Sequence, residues 1–148
     1  MATSLGIDRG ILHTEFIRGE ADGRFYFLET AARVGGAYIA EMVEAATGVN
    51  LWREWARLEV ATARGEKYSV KPERQEYGAV ILTLARQQWP ETTSYNDAEI
   101  IHRIHKEYHA GFVMRSPQHQ RITNLLDDYG NRFMHDFAAS MPAKETLR

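Results

Sequence analysis

An α+β fold is predicted, with a mostly antiparallel sheet carrying helices on one side, arranged in two consecutive halves. Three observations predict it. The stretch from Ile11 to Gly36, ILHTEFIRGEADGRFYFLETAARVGG, reads as two strands joined by a polar turn. Two helical patterns follow directly. A charged segment, GEKYSVKPERQEY from Gly65 to Tyr77, then separates them from a second set of strand and helix patterns.

Side chains alternate in a strand, so Leu12, Thr14 and Phe16 face one way and His13, Glu15 and Ile17 the other. In the second strand, strict alternation puts Phe25, Phe27 and Glu29 on one face. Ala21-Asp22-Gly23 supplies the turn, because Asp and Gly tolerate the backbone of a tight reversal. Antiparallel pairing across it brings Glu15 close to Glu29. Two carboxylates on an otherwise apolar sheet are unfavourable unless a cation sits between them.

Gly35-Gly36 is expected to open the helix AYIAEMVEAATG, where Ile39, Met42, Val43 and Ala46 recur at helical spacing and Gly48 ends it. Asn50 caps the next helix, LWREWARLEVATAR, whose apolar face is Leu51, Trp52, Trp55 and Leu58 with Ala61 at its edge; Gly65 stops it. Residues 1–64 are read as one subdomain, 65–76 as a linker and 77–148 as a small α+β extension.

In the second half, YGAVILTLAR from Tyr77 to Arg86 is a continuous apolar run of strand length and predicts a strand buried on both faces. After a loop around Pro90, Asn96 with Glu99 three residues on predicts a helix over 97–108, with Ile100, Ile101 and Ile104 inward. A short strand is expected at Phe112–Met114. Ser116-Pro117 opens a long helix with Ile122, Leu125, Leu126, Tyr129, Phe133, Met134 and Phe137 along one stripe, loosened at Gly130. The polar ends are short: a brief entry before the first strand and a frayed tail from Pro142.

The 148 residues suffice for one full core or two small subdomains. With 44% apolar and 26% charged residues the composition is that of an ordinary globular protein. A net charge of -2 supplies no basic stripe for nucleic acid and no polybasic membrane patch. The absence of cysteine excludes disulfides, thiolate metal sites and a cysteine nucleophile. No apolar run approaches the ~20 residues of a membrane span, and a cytoplasmic protein is expected.

Chemistry concentrates at Glu15, Glu29, Arg33 and Gly35-Gly36. Hard cations such as Mg²⁺ take oxygen ligands, commonly one or two carboxylates with substrate phosphates, and two glutamates converging across a hairpin meet that need. Arg33 can hold a phosphoryl group or carboxylate bidentately, and N–H groups at Gly35, Gly36 and the helix start can take an anion. The same spacing also fits two surface glutamates, each paired with an arginine such as Arg18 or Arg24.

HTEF followed by FLETAARVGGAYIAEMVEAATGVNL resembles the end of an ATP-grasp domain, as in biotin carboxylase, carbamoyl phosphate synthetase and the L-amino acid ligases. The resemblance is specific from about Gly10 to Val60 and looser through YGAVILTLAR and YHAGFVMRS to the final helix. It implies the C-terminal half of an ATP-grasp fold plus a C-terminal extension. By resemblance, Glu15 and Glu29 bind the Mg²⁺ (or Mn²⁺) that bridges the ATP phosphates, and Arg33 stabilises the phosphorylated carboxylate. Ile17 and Leu28 match positions that pack against adenine. Where the E-x-N-x-R motif has asparagine this chain has Ala31, so one metal ligand is missing.

The family also uses an upstream subdomain with lysines and a glycine-rich loop, and nothing before Glu15 has room for it. The expectation is therefore a C-terminal piece of an ATP-dependent ligase that activates a small-molecule carboxylate and joins it to an amine. It contributes Mg-ATP ligands, is inactive alone and pairs as a homodimer through apolar surface left bare. The alternative from another class is a non-catalytic structural or dimerisation module derived from such a domain.

Two further features have plainer readings. His102, His105 and His109 fall on one face of the helix expected there and could bind a transition metal, but such histidines are more often partly exposed helix residues. Trp52 and Trp55 could form a stacking platform, although their spacing is that of a core or interface face.

Overall fold

The computed structural model describes residues 6–139, so the expectations for the first residues and for the tail from Pro142 lie outside the described residues. The chain divides into two compact units between Arg74 and Gln75.

In the first unit, β1 (His13–Arg18) and β2 (Phe25–Ala31) form a two-stranded antiparallel sheet, followed by α1 (Ile39–Thr47) and α2 (Leu51–Ala63). The turn closes as its residues dictate: Asp22 accepts the Arg24 N–H at 3.0 Å and the Tyr26 hydroxyl at 2.6 Å, and Gly23 takes a φ of 66°. The helix expected to open at the glycine pair begins three residues later, at Ile39. Its N-cap, Tyr38, and the preceding Ala37 hold left-handed backbone, with φ of 65° and 50°, so they cannot belong to the helix. Gly48 ends α1 at φ 79° with its N–H on the Glu44 carbonyl, the left-handed stop that glycine adopts without a Cβ penalty. Asn50 caps α2 by accepting the Arg53 N–H at 2.9 Å.

Residues 65–74 pack within this first unit. Glu73 donates its N–H to the Thr47 carbonyl, and the Tyr68 hydroxyl reaches Glu54. Among the described residues its buried apolar side chains are those of Val34, Ala40, Ala45 and Ala61, three of them alanines. Trp52, expected on the inner face of α2, stacks on Trp55 but stays 57% exposed.

In the second unit, β3 (Tyr77–Leu84), β4 (Ile100–Arg103) and β5 (His109–Ser116) form an antiparallel sheet in the order β3-β5-β4, with α3 (His119–Asp136) packed on β3 and β5. The expected helix over 97–108 is not formed; Ile100–Arg103 pairs with β5 instead. The carboxylates that mimicked a helix start have tertiary partners. Arg121 holds Glu99 at 2.8 Å and Asp97 at 2.5 Å, and the Tyr129 hydroxyl donates to Asp97.

The strand buried on both faces is β5, not β3. The centre of the sheet runs through Ala110–Met114, all buried, whereas β3 is an edge strand that leaves Tyr77, Leu82 and Leu84 exposed. β5 also exceeds the short strand expected at Phe112–Met114. The Ser116 hydroxyl accepts the Gln118 N–H at 3.2 Å, and α3 starts at His119 and runs unbroken through Gly130. Its stripe buries Ile122, Leu125, Tyr129, Phe133 and then Phe137, the residue that caps its C-terminus, while Met134 points outward at 72% exposure. The core is aromatic: Tyr95, Phe112, Tyr129, Phe133 and Phe137 meet at ring separations of 5.0–6.4 Å. Arg132 lies over the Tyr95 ring at 4.0 Å.

Candidate functional site

The hairpin register places the two glutamates directly opposite each other. Glu15 pairs with Glu29, flanked by Thr14 with Thr30 and His13 with Ala31. Just beyond, the register slips: Phe16 pairs with Phe27, and Leu28 is passed over as the extra residue of a bulge. The slip corrects the expected alternation. Phe27 meets Phe16 edge to face at 6.0 Å, on the side where Thr14 and Thr30 hydrogen-bond at 2.8 Å. Glu29 is left on the other side, with Glu15, His13 and Ile17.

Directly opposed carboxylates destabilise a strand pair, and among the described residues no lysine or arginine pairs with either of them. Among the described residues neither glutamate is ion-paired to Arg18 or Arg24. Arg18 turns instead to the Gly23 carbonyl at 3.3 Å. The Glu15 side chain is 42% exposed and has His13 Nδ1 3.7 Å from its Oε1; Glu29 is exposed. Among the described residues no three His, Asp or Glu side chains gather into a complete metal cage. What the hairpin offers a hard cation is two oxygen ligands on an open face, with the remaining positions to be filled by phosphate and water. Ala31, at the place of the motif's asparagine, ends β2 opposite His13 and adds no ligand.

Arg33 lies two residues beyond β2, exposed, with Nη1 on the Val34 carbonyl at 3.2 Å. Of the two glycines, Gly35 is buried. A Cβ there would stand 2.9 Å from Ile39 Cγ2 and 3.4 Å from His13 Cδ2, so its missing side chain lets α1 and the His13 ring close on the backbone. Gly36 is exposed and a Cβ there would meet only the Arg33 guanidinium, at 3.9 Å. Ile17 and Leu28 remain 55% and 53% exposed.

Residues elsewhere do not join this site. The three histidines expected on one helical face are dispersed: His102 lies in β4, His105 stacks on Trp89 at 4.9 Å, and His109 opens β5 with Nδ1 2.7 Å from the Glu107 carbonyl oxygen. A groove of about 620 Å³ runs along α2, lined by Arg57, Val60, Lys67 and Tyr68 among others. None of the hairpin residues line it, and two of its cations, Arg53 and Arg57, are turned to Glu54.

The residue that sequence reasoning missed is His13. Its i, i+2 relation to Glu15 put it on the carboxylate face, which was the available signal. What only the structure adds is that its Nδ1 is buried without a hydrogen-bond partner, the one such side-chain atom among the described residues.

No protein-family model matches the sequence, and no curated protein matches it. Among solved structures, the fold is similar to the crystal structure of phosphoribosylglycinamide synthetase from Anaerococcus prevotii, with a TM-score of 0.57 and 15% sequence identity. The match covers 95% of this chain and 39% of that one, so the chain spans well under half the length of the protein it resembles. At that identity the likeness shows the fold alone: the chain has the α+β architecture of the C-terminal part of an ATP-grasp fold.

Proposed function

We propose that this chain supplies the metal-bearing wall of an ATP-dependent carboxylate–amine ligase. The observation that carries the reading is the in-register pair Glu15 and Glu29, facing each other on an open sheet face, with no lysine or arginine paired to either among the described residues. The fold likeness to part of a synthetase supports it. In this reading Glu15 and Glu29 hold Mg²⁺, which when bound neutralises charge on the nucleotide phosphates. Ile17 and Leu28 offer apolar surface to the adenine. Arg33, exposed and held only by a backbone carbonyl, turns to the anion that develops as the terminal phosphoryl group passes from ATP to the substrate carboxylate. The amine then attacks the acyl phosphate and phosphate leaves. Alone the chain does not turn over, because it brings one wall of the site; the reaction runs in the cytoplasm with the rest of the enzyme in place.

Calorimetry on the full-length gene product tests this. Mg-ATP binding is expected in the wild type and its loss in Glu29→Gln, which keeps the shape but removes the charge. Absence of Mg-ATP binding, or an activity untouched by Glu29→Gln, refutes the proposal.

One observation favours the alternative of a structural pairing module. Phe16, Phe25, Tyr26 and Phe27 are each at least 50% exposed on a two-stranded sheet, an element that is only marginally stable alone. If pairing through the hairpin is its role, light scattering should show a dimer that Phe25→Ser disperses, and Glu29→Gln should leave it intact.

A further inference from the structure

The hairpin contains a histidine whose chemistry none of the roles above uses. His13 lies two residues before Glu15 on the same face, with its ring against the Gly35 backbone, where no Cβ intervenes. Nδ1 is shut off from solvent and lacks a hydrogen bond, an unfavourable state for a buried polar atom. The nearest carboxylate oxygen is Glu15 Oε1, at 3.7 Å. That is too long for a hydrogen bond, yet a small rotation of the partly exposed Glu15 side chain would bring it within the usual ~2.7–2.9 Å of a charge-assisted bond. Because Nδ1 is buried, it is not itself placed to take a metal from solution.

We infer that His13 is a positioning residue for Glu15: the imidazole donates Nδ1–H to one carboxylate oxygen and so presents the other oxygen toward Glu29. This rests on the reading of Glu15 as a metal ligand. Metal-ligating carboxylates are commonly held by such outer hydrogen bonds, whose removal weakens metal affinity by about 10–100-fold. The arrangement also gives the Gly35 position a chemical reason, since any side chain there would push against Ile39 and crowd the ring that aims the carboxylate.

Two measurements on the full-length gene product decide it. Long-range ¹H–¹⁵N correlation at alkaline pH, with the His13 signals assigned by their loss in His13→Asn, should show Nδ1 protonated in the wild type. The proton should move to Nε2 in Glu15→Ala and stay in Glu29→Ala. Mn²⁺ titration with ATP present, followed by paramagnetic resonance, should show affinity falling about 10–100-fold in His13→Leu. His13→Asn, whose amide nitrogen can stand where Nδ1 stood, should recover most of it. A merely structural role predicts the reverse order, because leucine fills the apolar space better. Mn²⁺ binding with Nδ1 unprotonated, or with the Asn variant as weak as the Leu variant, overturns the role of His13 and leaves the metal reading standing. A full-length gene product that binds no Mn²⁺ in the presence of ATP overturns the metal reading and the role of His13 together.

Discussion

Adjacent residues on α3 allow a sharp test of how the second unit is built. Phe133 is 2% exposed and touches the rings of Tyr95, Phe112, Tyr129 and Phe137, whereas Met134, one residue on, is 72% exposed. Phe133→Ala removes a buried ring and leaves a cavity in a core of large, mutually packed aromatics that cannot collapse to fill it, so a loss of about 3–5 kcal/mol is expected. A small domain is stable by only about 5–15 kcal/mol, so that loss is a large part of the total. Met134→Ala removes a side chain already in water and should change stability by no more than about 0.5 kcal/mol. The assay is urea unfolding followed by Trp89 fluorescence in a Trp52→Phe, Trp55→Phe background, since Trp89 belongs to the second unit and the other two tryptophans to the first. With a urea slope of about 1.5 kcal/mol/M, the Phe133→Ala midpoint should fall by about 2–3 M. Equal effects at the two positions, or a larger one at Met134, would refute the orientation of α3.

Two further outcomes follow from the same geometry. The Tyr129 hydroxyl and then Arg121 hold the Asp97 carboxyl below its ordinary 3.8, and Arg121 holds Glu99 below its ordinary 4.5. Folded values below unfolded ones add stability that is complete above the unfolded pKa and is lost as pH falls through the folded values, so the second unit should weaken on acidification below about pH 4. In Asp97→Asn that part of the slope should be missing in acid titrations of the urea midpoint. In the first unit, Gly35→Ala forces a Cβ to within 2.9 Å of Ile39 and should cost about 1–3 kcal/mol, against almost nothing for Gly36→Ala, as read by Trp52 and Trp55 fluorescence in a Trp89→Phe background.

The legible parts of this fold were those whose signal is local. Asp22-Gly23 between two apolar runs specifies a hairpin because the turn residues satisfy themselves, and Gly48 and Asn50 mark helix boundaries through their own backbone and side-chain bonds. The register of Glu15 on Glu29 came with the hairpin. The bulge at Leu28 did not, because nothing in Phe27-Leu28-Glu29 distinguishes an extra residue from a paired one. Residues 97–108 show the opposite failure. Isoleucines at 100, 101 and 104 fit a helix face as well as a short strand, and Glu99 three residues after Asn96 imitates a capping box. The decision was made by distant groups, Arg121 and Tyr129, which draw Asp97 and Glu99 toward α3 and lay Ile100–Arg103 against β5. Likewise, the apolar run 77–86 reads as the more buried strand, yet burial belongs to whichever strand is central, and sheet order is not written in any one strand.

The candidate site sits at the junction of these two kinds of information. Its carboxylates were placed by local pairing, while the atom that gives them a direction, His13 Nδ1, acquires its meaning from Gly35, more than twenty residues away in the chain. An Asp22-Gly23 turn alone would bring two glutamates together on many hairpins, where water and stray cations would screen them. The combination here is narrower: opposed carboxylates with no arginine partner among the described residues, a buried nitrogen facing one of them, and a glycine that makes room for that nitrogen's ring. A chain selected only to pair as a structural edge would gain stability by replacing either of the first two, for instance with a lysine at position 29 or a leucine at position 13. Glu29→Lys is therefore expected to stabilise the isolated hairpin by about 0.2–1 kcal/mol while abolishing Mn²⁺ binding, a trade that separates a site from a surface. Glu29→Lys that leaves Mn²⁺ affinity unchanged would show that the opposed carboxylates serve no ion at all.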